Sequence, residues 1–368
     1  MKIGINASFA RKPGSGTGEV TLNYLRALNK KDKNSSFVLY LEKDIGLDLS
    51  DNFRKNIFLP FYKRDDLIRK IIWEKFLLPK KVKKDNCGAF ISLYQCPTVL
   101  NKKIEHTMVV HDIVPELFPE YVNNWRKKFY WWLTKRAIKK ANKIITVSVN
   151  TKEDLIKHLG INPDKIRVNH NDVDNIYKKE VAEFDSQVVL KKYNLTPGYI
   201  YTGGGLDKRK NIDTLIYAYK ILWDRDKNIP DLVISGKLMP QMAPLIIDVE
   251  KIVKELKMES KIKLLDFVAQ ENMPAIYKNA SVFVYPSLYE GFGLPLLEAM
   301  NVGVAVVTSN NSSLGEIVKD SAVLFNPNDK EDIAQKIIRT LKNDDLRKNN
   351  IAKAKEYAKN FSWEKFVS

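Results

Sequence analysis

The stretch Pro286-Ser-Leu-Tyr-Glu-Gly-Phe-Gly-Leu-Pro-Leu-Leu-Glu-Ala-Met300 decides the fold of this 368-residue chain. It follows a short β-type run, Ala280–Tyr285. Gly291 and Gly293 permit a tight turn in which the backbone can approach a ligand closely. Pro295 suits the first turn of a helix, where its missing N–H costs little. The stretch therefore predicts a strand, a glycine turn and a helix, in that order.

The predicted helix runs from about Leu294 to Met300 and would create an anion site at its start. Backbone N–H groups near Phe292–Leu294 and the positive end of the helix dipole would both point at the turn. Glu290 would lie in the loop and Glu298 about one turn inside the helix. Carboxylates accept hydrogen bonds from sugar hydroxyls, as in dinucleotide-binding folds. The pattern favours a nucleotide-sugar pocket over the alternative, a surface turn with two solvated glutamates.

The string from Glu290 to Met300 resembles the Glu-x7-Glu motif of retaining glycosyltransferases of the GT-B fold, glycosyltransferase family 4. The resemblance implies an α/β protein with two Rossmann-like, doubly wound domains facing a cleft. Independently, strand and helix patterns alternate in both halves, which favours two doubly wound sheets. The resemblance further implies hexose transfer with retention and without a metal, in which Glu298 holds the ribose and Glu290 contacts the sugar.

A second glycine turn opens the C-terminal half, in Tyr199-Ile-Tyr-Thr-Gly-Gly-Gly-Leu-Asp-Lys-Arg-Lys-Asn211. Three cations before a helix suit a diphosphate, although a solvated basic run is the alternative. Many family members carry Gly-Arg-Leu-Asp followed by Lys-Asn, and the resemblance implies that Lys210 binds the diphosphate. Gly205 stands where those members have arginine, so Arg209 is predicted to replace it. Lys208 is expected to be exposed to solvent.

A further glycine turn, Pro13-Gly-Ser-Gly-Thr-Gly-Glu19, lies between the first predicted strand, Lys2–Ser8, and a helix. Such a turn suits an anionic ligand, but a plain connection is the alternative. The dinucleotide spacing would need glycine at position 19, which is glutamate. The family resemblance places this loop near the donor phosphates or the acceptor, so Gly16 and Thr17 become candidate donor-binding residues.

His111 and Asp112 end a predicted strand that begins at Thr107. Ligands of open α/β sheets bind at the carboxyl ends of strands, so His111 is predicted to touch a substrate, although a lone histidine is often structural. The segment from His111 to Tyr121 resembles that of bacterial polysaccharide mannosyltransferases, which implies mannose as the donor sugar and a catalytic role for His111. Asp112 and Ser312, in a polar loop of the second half, are candidate acceptor-side residues.

The segment Trp125–Lys143 predicts a helix in which aromatic side chains alternate with lysine and arginine. Together with a formal net charge of +17, this pattern is compatible with an anionic membrane surface. An ordinary packed helix with a solvated basic face is the alternative, and nucleic acid is not expected as a partner.

The domain prediction is an acceptor-side domain over 1–180, a nucleotide-sugar domain over 181–355 and a C-terminal segment, 356–368, that crosses back to the first domain. A polar linker is expected around Tyr177–Asn194. In Asn169-His-Asn-Asp-Val-Asp174, which resembles the inter-domain passage of the family, Asp172 replaces the usual glycine. The family's C-terminal segment usually continues further, so a short tail is expected beyond Ser368.

Composition places the chain among soluble globular proteins, with 44% hydrophobic and 29% charged residues. It contains no apolar run of about 18 residues, and its N-terminus lacks the pattern of a signal peptide. Two cysteines make neither a disulfide framework nor a zinc site, and a reducing cytoplasm is expected, with the inner face of the plasma membrane as an alternative.

The predicted reaction moves a hexose from a GDP- or UDP-linked sugar to a hydroxyl of a glycan or lipid-linked glycan, with no cofactor and no metal. Three other functions remain open. An epimerase of the same fold would act without an acceptor. A nicotinamide oxidoreductase is disfavoured, because none of the glycine turns has the Gly-x-Gly-x-x-Gly spacing. A non-catalytic basic protein, binding membrane or nucleic acid, would explain the charge but not Glu290, Glu298 or Lys210.

Overall fold

The computed structural model describes residues 1–60 and 66–367, and the chain forms two compact units. The first unit is Met1–Asn171 together with the segment from Ser362 onward, and the second is Asp172–Phe361. The sequence placed the boundary between the domains at 180/181 and the start of the returning segment at 356. Each unit is a parallel sheet with helices around it, which confirms the prediction of two Rossmann-like α/β domains.

The first unit has a seven-stranded parallel sheet in the order β3-β2-β1-β4-β5-β6-β7. Its strands are β1 Lys2–Asn6, β2 Ser36–Leu41, β3 Phe53–Ile57, β4 Ala89–Ser92, β5 Glu105–Val110, β6 Lys143–Thr146 and β7 Ile166–Val168. The direction of winding reverses between β1 and β4, and the loops beyond their carboxyl ends are where ligands bind in such sheets.

Six α-helices belong to the described part of the first unit before its last strand. They are α1 Gly16–Lys31, α2 Asp66–Ile71, α3 Leu78–Lys84, α4 Val114–Leu117, α5 Trp125–Lys140 and α6 Val149–Leu159, with a π-helical turn, Ile72–Leu77, joining α2 to α3. The predicted helix Trp125–Lys143 thus ends at Lys140, and Lys143 begins β6.

The second unit has a six-stranded parallel sheet in the order β10-β9-β8-β11-β12-β13. Its strands are β8 Tyr199–Thr202, β9 Leu232–Ile234, β10 Ile262–Leu264, β11 Ala280–Tyr285, β12 Val306–Ser309 and β13 Val323–Phe325. Here the winding reverses between β8 and β11. Strands β8 and β11 lead into two of the three glycine turns singled out in the sequence, so the sheet order brings those two turns side by side.

The helices of the second unit cover both faces of its sheet. They are α7 Glu183–Lys192, α8 Ile212–Arg225, α9 Val249–Glu255, α10 Met273–Lys278, α11 Leu294–Val302, α12 Leu314–Val318, α13 Lys330–Leu341 and α14 Asp344–Ala358. Central strands read as continuous apolar runs because both of their faces are buried; Val282, Phe283 and Val284 of β11 are all fully buried.

The predicted linker around Tyr177–Asn194 is wrong, because this segment contains α7 and belongs to the second unit. Lys278 at the end of α10 donates a hydrogen bond to the carbonyl of Val181, at 2.7 Å. Asp172, which replaces the family glycine, is 2% exposed, and its carboxylate forms an ion pair with Lys178. The segment is therefore folded against the second unit despite its polar composition.

The last helix, α15 Trp363–Phe366, lies on the first unit. The ring of Phe366 meets that of Tyr24 in α1 with centroids 5.9 Å apart. The Asn169 amide donates a hydrogen bond to the Phe366 carbonyl at 2.8 Å. These contacts attach the C-terminal segment to the first unit.

Candidate functional site

The Glu290 carboxylate lies at the centre of a hydrogen-bonded cluster in the second unit, just beyond the carboxyl end of β11. Glu290 is 8% exposed. Its Oε1 accepts hydrogen bonds from Lys210 Nζ at 2.7 Å, Ser287 Oγ at 2.6 Å and Tyr285 OH at 3.0 Å. Its Oε2 lies 2.9 Å from Arg209 NH1. The structure thus joins Glu290, predicted to contact the sugar, to Arg209 and Lys210, predicted to bind the diphosphate, through direct contacts.

The two cations reach Glu290 from the neighbouring strand. A 3-10 turn, Lys208–Lys210, follows β8 and its glycine turn. The Arg209 carbonyl accepts the backbone N–H of Leu288 at 2.8 Å, and its guanidinium donates to the Tyr289 carbonyl. These bonds tie the turn after β8 to the loop after β11, at the point where the strand order reverses. Lys208 is exposed, as predicted.

The charges in this cluster are balanced and largely buried. Arg209 Nε also lies 3.5 Å from Asp207, so two cations face two carboxylates. Burial raises the pKa of the Glu290 carboxyl, but the charges of Lys210 and Arg209 outweigh that effect, and the pKa falls from its ordinary 4.5 to about 2. Glu290 is therefore ionised at any physiological pH and holds both cations in place.

Lys210 retains hydrogen-bonding capacity for a ligand. Its ammonium group has three donors. Within the described residues it contacts Glu290 Oε1 and the Tyr285 hydroxyl, each at 2.7 Å. Gly205 lies beside it, because a Cβ at that position would be 3.8 Å from Lys210 Cε and 3.0 Å from Asp207 Oδ2. The position where family members have arginine therefore borders the same cluster.

The glycine turn leads into α11 as the sequence predicted. Gly293 caps the helix with φ of 103°, and a Cβ there would lie 2.9 Å from Leu314 Cδ2, so both conformation and packing require glycine. Pro295 lies in the first turn. Glu298 lies one turn into the helix, is half-buried, and accepts a hydrogen bond from the Tyr277 hydroxyl at 2.9 Å.

Two serines after β12 hold the loop that carries Glu290. Ser312 Oγ accepts the backbone N–H of Glu290 at 3.1 Å. Ser313 Oγ lies 2.9 Å from the Glu290 carbonyl and 2.8 Å from that of Phe292, and can donate to either. Ser312, a candidate acceptor-side residue, thus lies in the second unit. Ser313 was not identified from the sequence. The only signal for it is its position in the polar loop after a predicted strand.

Tyr285 and Ser287 were also missed by sequence reasoning. Tyr285 is the last residue of an apolar strand and reads as a core residue, yet its hydroxyl contacts both Lys210 and Glu290. Ser287 lies three residues before Glu290 and reads as part of a turn. Tyr285 joins the cluster through Lys210, 75 positions away in the sequence, whereas Ser287 joins it through the nearby Glu290.

The glycine turn of the first unit is held by local hydrogen bonds, and packing requires glycine at only some of its positions. The Ser15 side chain caps α1 by accepting the N–H of Gly18 at 3.2 Å, and Glu19 Oε1 accepts the N–H of Gly14 at 2.8 Å. A Cβ at Gly18 would lie 2.0 Å from the Lys12 carbonyl oxygen, so packing alone demands that glycine. At Gly16 a Cβ would meet no atom within 4 Å, so packing does not demand glycine there.

His111 and Asp112 lie in the first unit at the carboxyl end of β5. His111 Nε2 lies 2.8 Å from the Leu93 carbonyl, which can only accept, so Nε2 carries a proton. Burial lowers the pKa of His111, and the hydrogen bond to Leu93 and the charge of Asp112 oppose this only in part. The ring is therefore neutral near pH 7, with Nδ1 as an acceptor. Asp112 Oδ1 accepts the N–H of Val114 at 3.0 Å, at the start of α4.

A cavity of about 250 Å³ lies in the first unit, next to these predicted residues. Thr17 lines it, as does Gln95, whose Oε1 accepts the His111 backbone N–H at 3.2 Å. One wall is the inner face of α5, including Tyr130 and Trp131. The cavity thus borders the glycine turn through Thr17 and is linked to His111 through Gln95.

The outer face of α5 exposes three aromatic side chains: Trp125, Phe129 and Trp132 are 73%, 46% and 45% exposed. The rings of Phe129 and Trp132 stack with centroids 5.8 Å apart, and the Arg136 guanidinium lies 4.7 Å from the centre of the Trp132 ring. The inner face is buried against the core. The exposed basic residues of this face are Arg126, Lys128, Arg136, Lys139 and Lys140.

Residues 1–60 and 66–367 contain no helix that is both long and apolar enough to span a membrane. In the same part of the chain, no group of three or more histidine, cysteine, aspartate or glutamate side chains is arranged to hold a metal ion.

Two doubly wound parallel sheets, one with paired cations at its switch point, define an α/β protein of the class whose ligands bind where the strand order reverses. Residues 187–357 match the model of the glycosyl transferases group 1, and residues 15–175 match that of Glycosyltransferase Family 4. The chain belongs to this family of glycosyltransferases, as its Glu-x7-Glu string predicted.

Related proteins support this family assignment. The chain is 34% identical over 255 residues to O-antigen chain mannosyltransferase B of Escherichia coli, a match covering 69% of this chain and 66% of that protein. It is 28% identical over 261 residues to the serotype-specific mannosyltransferase WbdA of Escherichia coli, covering 69% of this chain and 31% of that one. The matches thus span less than two thirds of these relatives. Their names favour transfer over epimerisation.

Solved structures share the fold. The glycosyltransferase WaaG, involved in lipopolysaccharide biosynthesis, superposes with a TM-score of 0.77 at 15% identity, covering 100% of this chain and 97% of that chain. Anabaena Alr3699/HepE in complex with UDP and glucose superposes with a TM-score of 0.73 at 18% identity and the same coverage. At these identities the likeness shows the fold alone.

Proposed function

We propose that this protein transfers mannose from a nucleotide diphosphate mannose to a hydroxyl of a glycan, with retention of configuration and without a metal ion. The observation that carries the proposal is the buried cluster of Arg209, Lys210 and Glu290 at the switch point of the second sheet. The choice of mannose is supported by the names of the relatives, several of which are mannosyltransferases.

The cations would stabilise the leaving group. When the sugar departs, negative charge develops on the nucleoside diphosphate, and fixed positive partners lower the barrier, each by roughly 3–4 kcal/mol. Lys210 is held by Glu290 and Tyr285 with a donor to spare. Arg209 is fixed by the Tyr289 carbonyl and by Glu290. The first turn of α11, near Phe292–Leu294, adds backbone N–H groups of the kind that bind phosphate.

The two carboxylates would fix the remainder of the donor. Glu298 extends from α11 and is half-buried, and it accepts a hydrogen bond from Tyr277. Its carboxylate would also accept a hydrogen bond from a ribose hydroxyl. Glu290 is ionised, and its loop is held by Ser312 and Ser313. It would accept a hydrogen bond from the sugar ring while keeping the cations aligned.

In the first unit, His111 would contact a sugar substrate. The ring is neutral and its Nε2–H is bonded to the Leu93 carbonyl, so only Nδ1 is left to accept a hydrogen bond from a hydroxyl. A neutral imidazole with a fixed hydrogen-bond acceptor is better suited to positioning a sugar than to donating a proton. Gly16 and Thr17, at the N-terminus of α1, would bind the donor, as the sequence predicts.

The acceptor would be a lipid-linked glycan at the cytoplasmic face of a membrane. One relative, 31% identical over 245 residues, is named for adding a sugar to a diphospho-undecaprenol-linked saccharide. The outer face of α5 combines exposed tryptophans with basic residues, which is the composition of helices that lie in the interface of anionic membranes. The formal net charge of +17 has the sign that such a surface attracts.

A transfer assay tests the proposal. The protein is incubated with GDP-mannose, UDP-glucose or UDP-N-acetylglucosamine and a mannose-terminated oligosaccharide, with and without a metal chelator. We expect product only from GDP-mannose, at the same rate with chelator, and with the anomeric configuration of the donor in its NMR spectrum. An inverted linkage, or loss of product with chelator, would contradict the mechanism. Absence of transfer from every donor would contradict the proposed function.

A further inference from the structure

Tyr285, the last residue of β11, is held rigidly by the sheet of the second unit. Its side chain is 1% exposed. Its backbone carbonyl accepts a hydrogen bond at 2.9 Å from Thr308 Oγ1, on the neighbouring strand β12. Its ring stacks on that of Phe283 with centroids 5.8 Å apart, and a Cβ at Gly204 would lie 3.9 Å from Tyr285 Cε2. The phenol is thus packed against both the sheet and the glycine turn after β8, so its hydroxyl has little freedom to move.

The Tyr285 hydroxyl joins Lys210 to Glu290. The Lys210 ammonium lies 2.7 Å from the hydroxyl oxygen and, because it carries only donors, it must donate to that oxygen. The hydroxyl proton is then left for Glu290 Oε1, which lies 3.0 Å away. Lys210 also donates directly to Oε1 at 2.7 Å, so the three groups form a closed triangle of hydrogen bonds. The chemistry of the groups fixes which atom donates and which accepts along each side.

This triangle gives the Lys210 ammonium a definite orientation. Lysine carries a point charge on a flexible four-carbon stem, so its own covalent structure does not position the charge. Two of its three N–H donors are taken by Tyr285 and Glu290, and its nitrogen lies 5.1 Å from the centre of the Tyr285 ring. Because an ammonium group is tetrahedral, two fixed N–H bonds determine the direction of the third.

Tyr285 orients the charge of Lys210 without reducing it. Glu290 is ionised and offsets a positive charge. The phenol, in contrast, is neutral, because burial and the neighbouring Glu290 carboxylate raise the pKa of the Tyr285 hydroxyl well above its ordinary value. A neutral oxygen accepts from the ammonium group and leaves its full charge for a phosphate oxygen. The two contacts of Lys210 therefore act differently: Glu290 balances its charge, and Tyr285 sets its direction.

We propose that Tyr285 is a positioning residue for the transfer reaction, whose hydroxyl directs the Lys210 ammonium toward the diphosphate of the leaving group. The leaving group enters from the proposed function, whereas the fixing of Lys210 by the hydroxyl does not depend on it. Negative charge on the diphosphate grows as the sugar departs, so a correctly directed ammonium stabilises the transition state more than the bound donor. Loss of the hydroxyl therefore lowers turnover more than it weakens donor binding.

Steady-state kinetics of Tyr285→Phe test the proposal, because this change removes one oxygen atom and keeps the ring and its stacking on Phe283. We expect turnover to fall about tenfold while the donor KM rises less than threefold. Calorimetric titration with a nucleoside diphosphate counts the competent sites, so a loss of turnover through partial unfolding is recognised by its lower stoichiometry. Wild-type turnover in Tyr285→Phe, or a donor KM that rises as much as turnover falls, would overturn the proposal.

The matched control is Tyr199→Phe. Tyr199 is 2% exposed, and its hydroxyl donates to the Ile276 carbonyl at 2.7 Å, the same distance as between Tyr285 and Lys210. It is the first residue of β8, whereas the site lies beyond the carboxyl ends of the strands. We expect wild-type turnover in this variant. A loss equal to that of Tyr285→Phe would reduce both effects to general destabilisation and refute the positioning role.

A double-mutant cycle with Lys210→Met decides whether Tyr285 acts through Lys210. Methionine keeps an unbranched stem but has no ammonium group. If the hydroxyl acts by directing that group, adding Tyr285→Phe to Lys210→Met should lower turnover less than twofold, against about tenfold in the wild-type background. A further tenfold loss in the double variant would show that Tyr285 acts independently of Lys210 and would contradict the proposal.

Thermal unfolding without any ligand separates this proposal from the proposed function. Residues in contact contribute to stability non-additively, so Tyr285→Phe should lower the melting temperature less in Lys210→Met than in the wild type. Equal lowering in both backgrounds would disprove the link between the two side chains, whatever the activity. Absence of transfer from every donor by the wild type would instead refute the proposed function, and the unfolding cycle would still decide whether Tyr285 fixes Lys210.

Discussion

Glu290→Gln is predicted to weaken the fold and yet to strengthen the binding of a nucleoside diphosphate. The carboxylate lies 2.7 Å from Lys210 Nζ and 2.9 Å from Arg209 NH1, and its pKa falls from 4.5 to about 2. Since each unit of pKa corresponds to about 1.4 kcal/mol, the ionised carboxylate contributes about 3 kcal/mol to folding at neutral pH. For a unit of this size, its loss lowers the melting temperature by roughly 6–12 °C.

The same change removes a negative charge that competes with the ligand. The cluster of Arg209, Lys210, Asp207 and Glu290 is formally neutral, and glutamine leaves one net positive charge. A charge about 6 Å from a phosphate, at an effective dielectric constant of about 40, adds roughly 1.4 kcal/mol, or tenfold in affinity. Turnover is expected to fall, because glutamine holds neither the sugar nor the cations as firmly.

Thermal unfolding and calorimetric titration with GDP and UDP measure both effects. Glu331→Gln is the matched control, because it breaks an ion pair with Arg225 at the same distance of 2.9 Å. Both partners of that pair are about half exposed, so its loss should lower the free energy of unfolding by less than about 1 kcal/mol. Equal melting temperatures of Glu290→Gln and Glu331→Gln, or a weaker diphosphate affinity in Glu290→Gln, would refute the reasoning.

The pH dependence has a definite sign. The pKa of Glu290 is lower in the folded protein than in the unfolded chain, so its contribution is complete above about pH 4.5 and is lost as the pH falls toward 2. Between these values the wild type should therefore lose stability more steeply than Glu290→Gln, in acid-unfolding curves recorded by circular dichroism. Parallel curves would show that the ion pairs do not stabilise the fold.

Three further predictions concern the donor site and α5. Lys210→Ala should lower turnover more than it raises the donor KM, because diphosphate charge grows toward the transition state; unchanged steady-state turnover would contradict this. Glu298→Ala should weaken nucleoside diphosphate binding in calorimetry, whereas Tyr277→Phe, which keeps the carboxylate, should not; wild-type affinity in Glu298→Ala would exclude the ribose role. Trp132→Ala should reduce co-sedimentation with vesicles of anionic lipid but not transfer to a soluble oligosaccharide, and equal sedimentation would argue against membrane contact.

Local features of the site were predictable because they depend on short-range chemistry. The turn and helix after β11 follow from Gly291, Gly293 and Pro295, whose backbone preferences are strong. The polar segment that contains α7 was misread as a linker, since its helix is half-exposed and lacks a clear apolar stripe. Its buried apolar positions are Val189 and Leu190.

Long-range features of the site could not be read from the sequence. Lys210 and Glu290 are 80 positions apart, and only the pairing of β8 with β11 makes them neighbours. The sequence suggested a separate task for each, diphosphate for the lysine and sugar for the glutamate, and did not foresee their ion pair. The orientation of α5 is a similar case, because its aromatic residues occur all round the helix and only packing decides which of them are buried.

The central claim is that the second unit binds the diphosphate of a sugar donor through Arg209 and Lys210. The most direct test is calorimetric titration of the wild type and Lys210→Ala with GDP, UDP and ADP. The account predicts clear binding of one nucleotide by the wild type and at least tenfold weaker binding by the variant, since a buried charge-assisted contact is worth about 1.5–3 kcal/mol. Binding of equal strength by both proteins would contradict the claim, as would a wild type that binds none of the three.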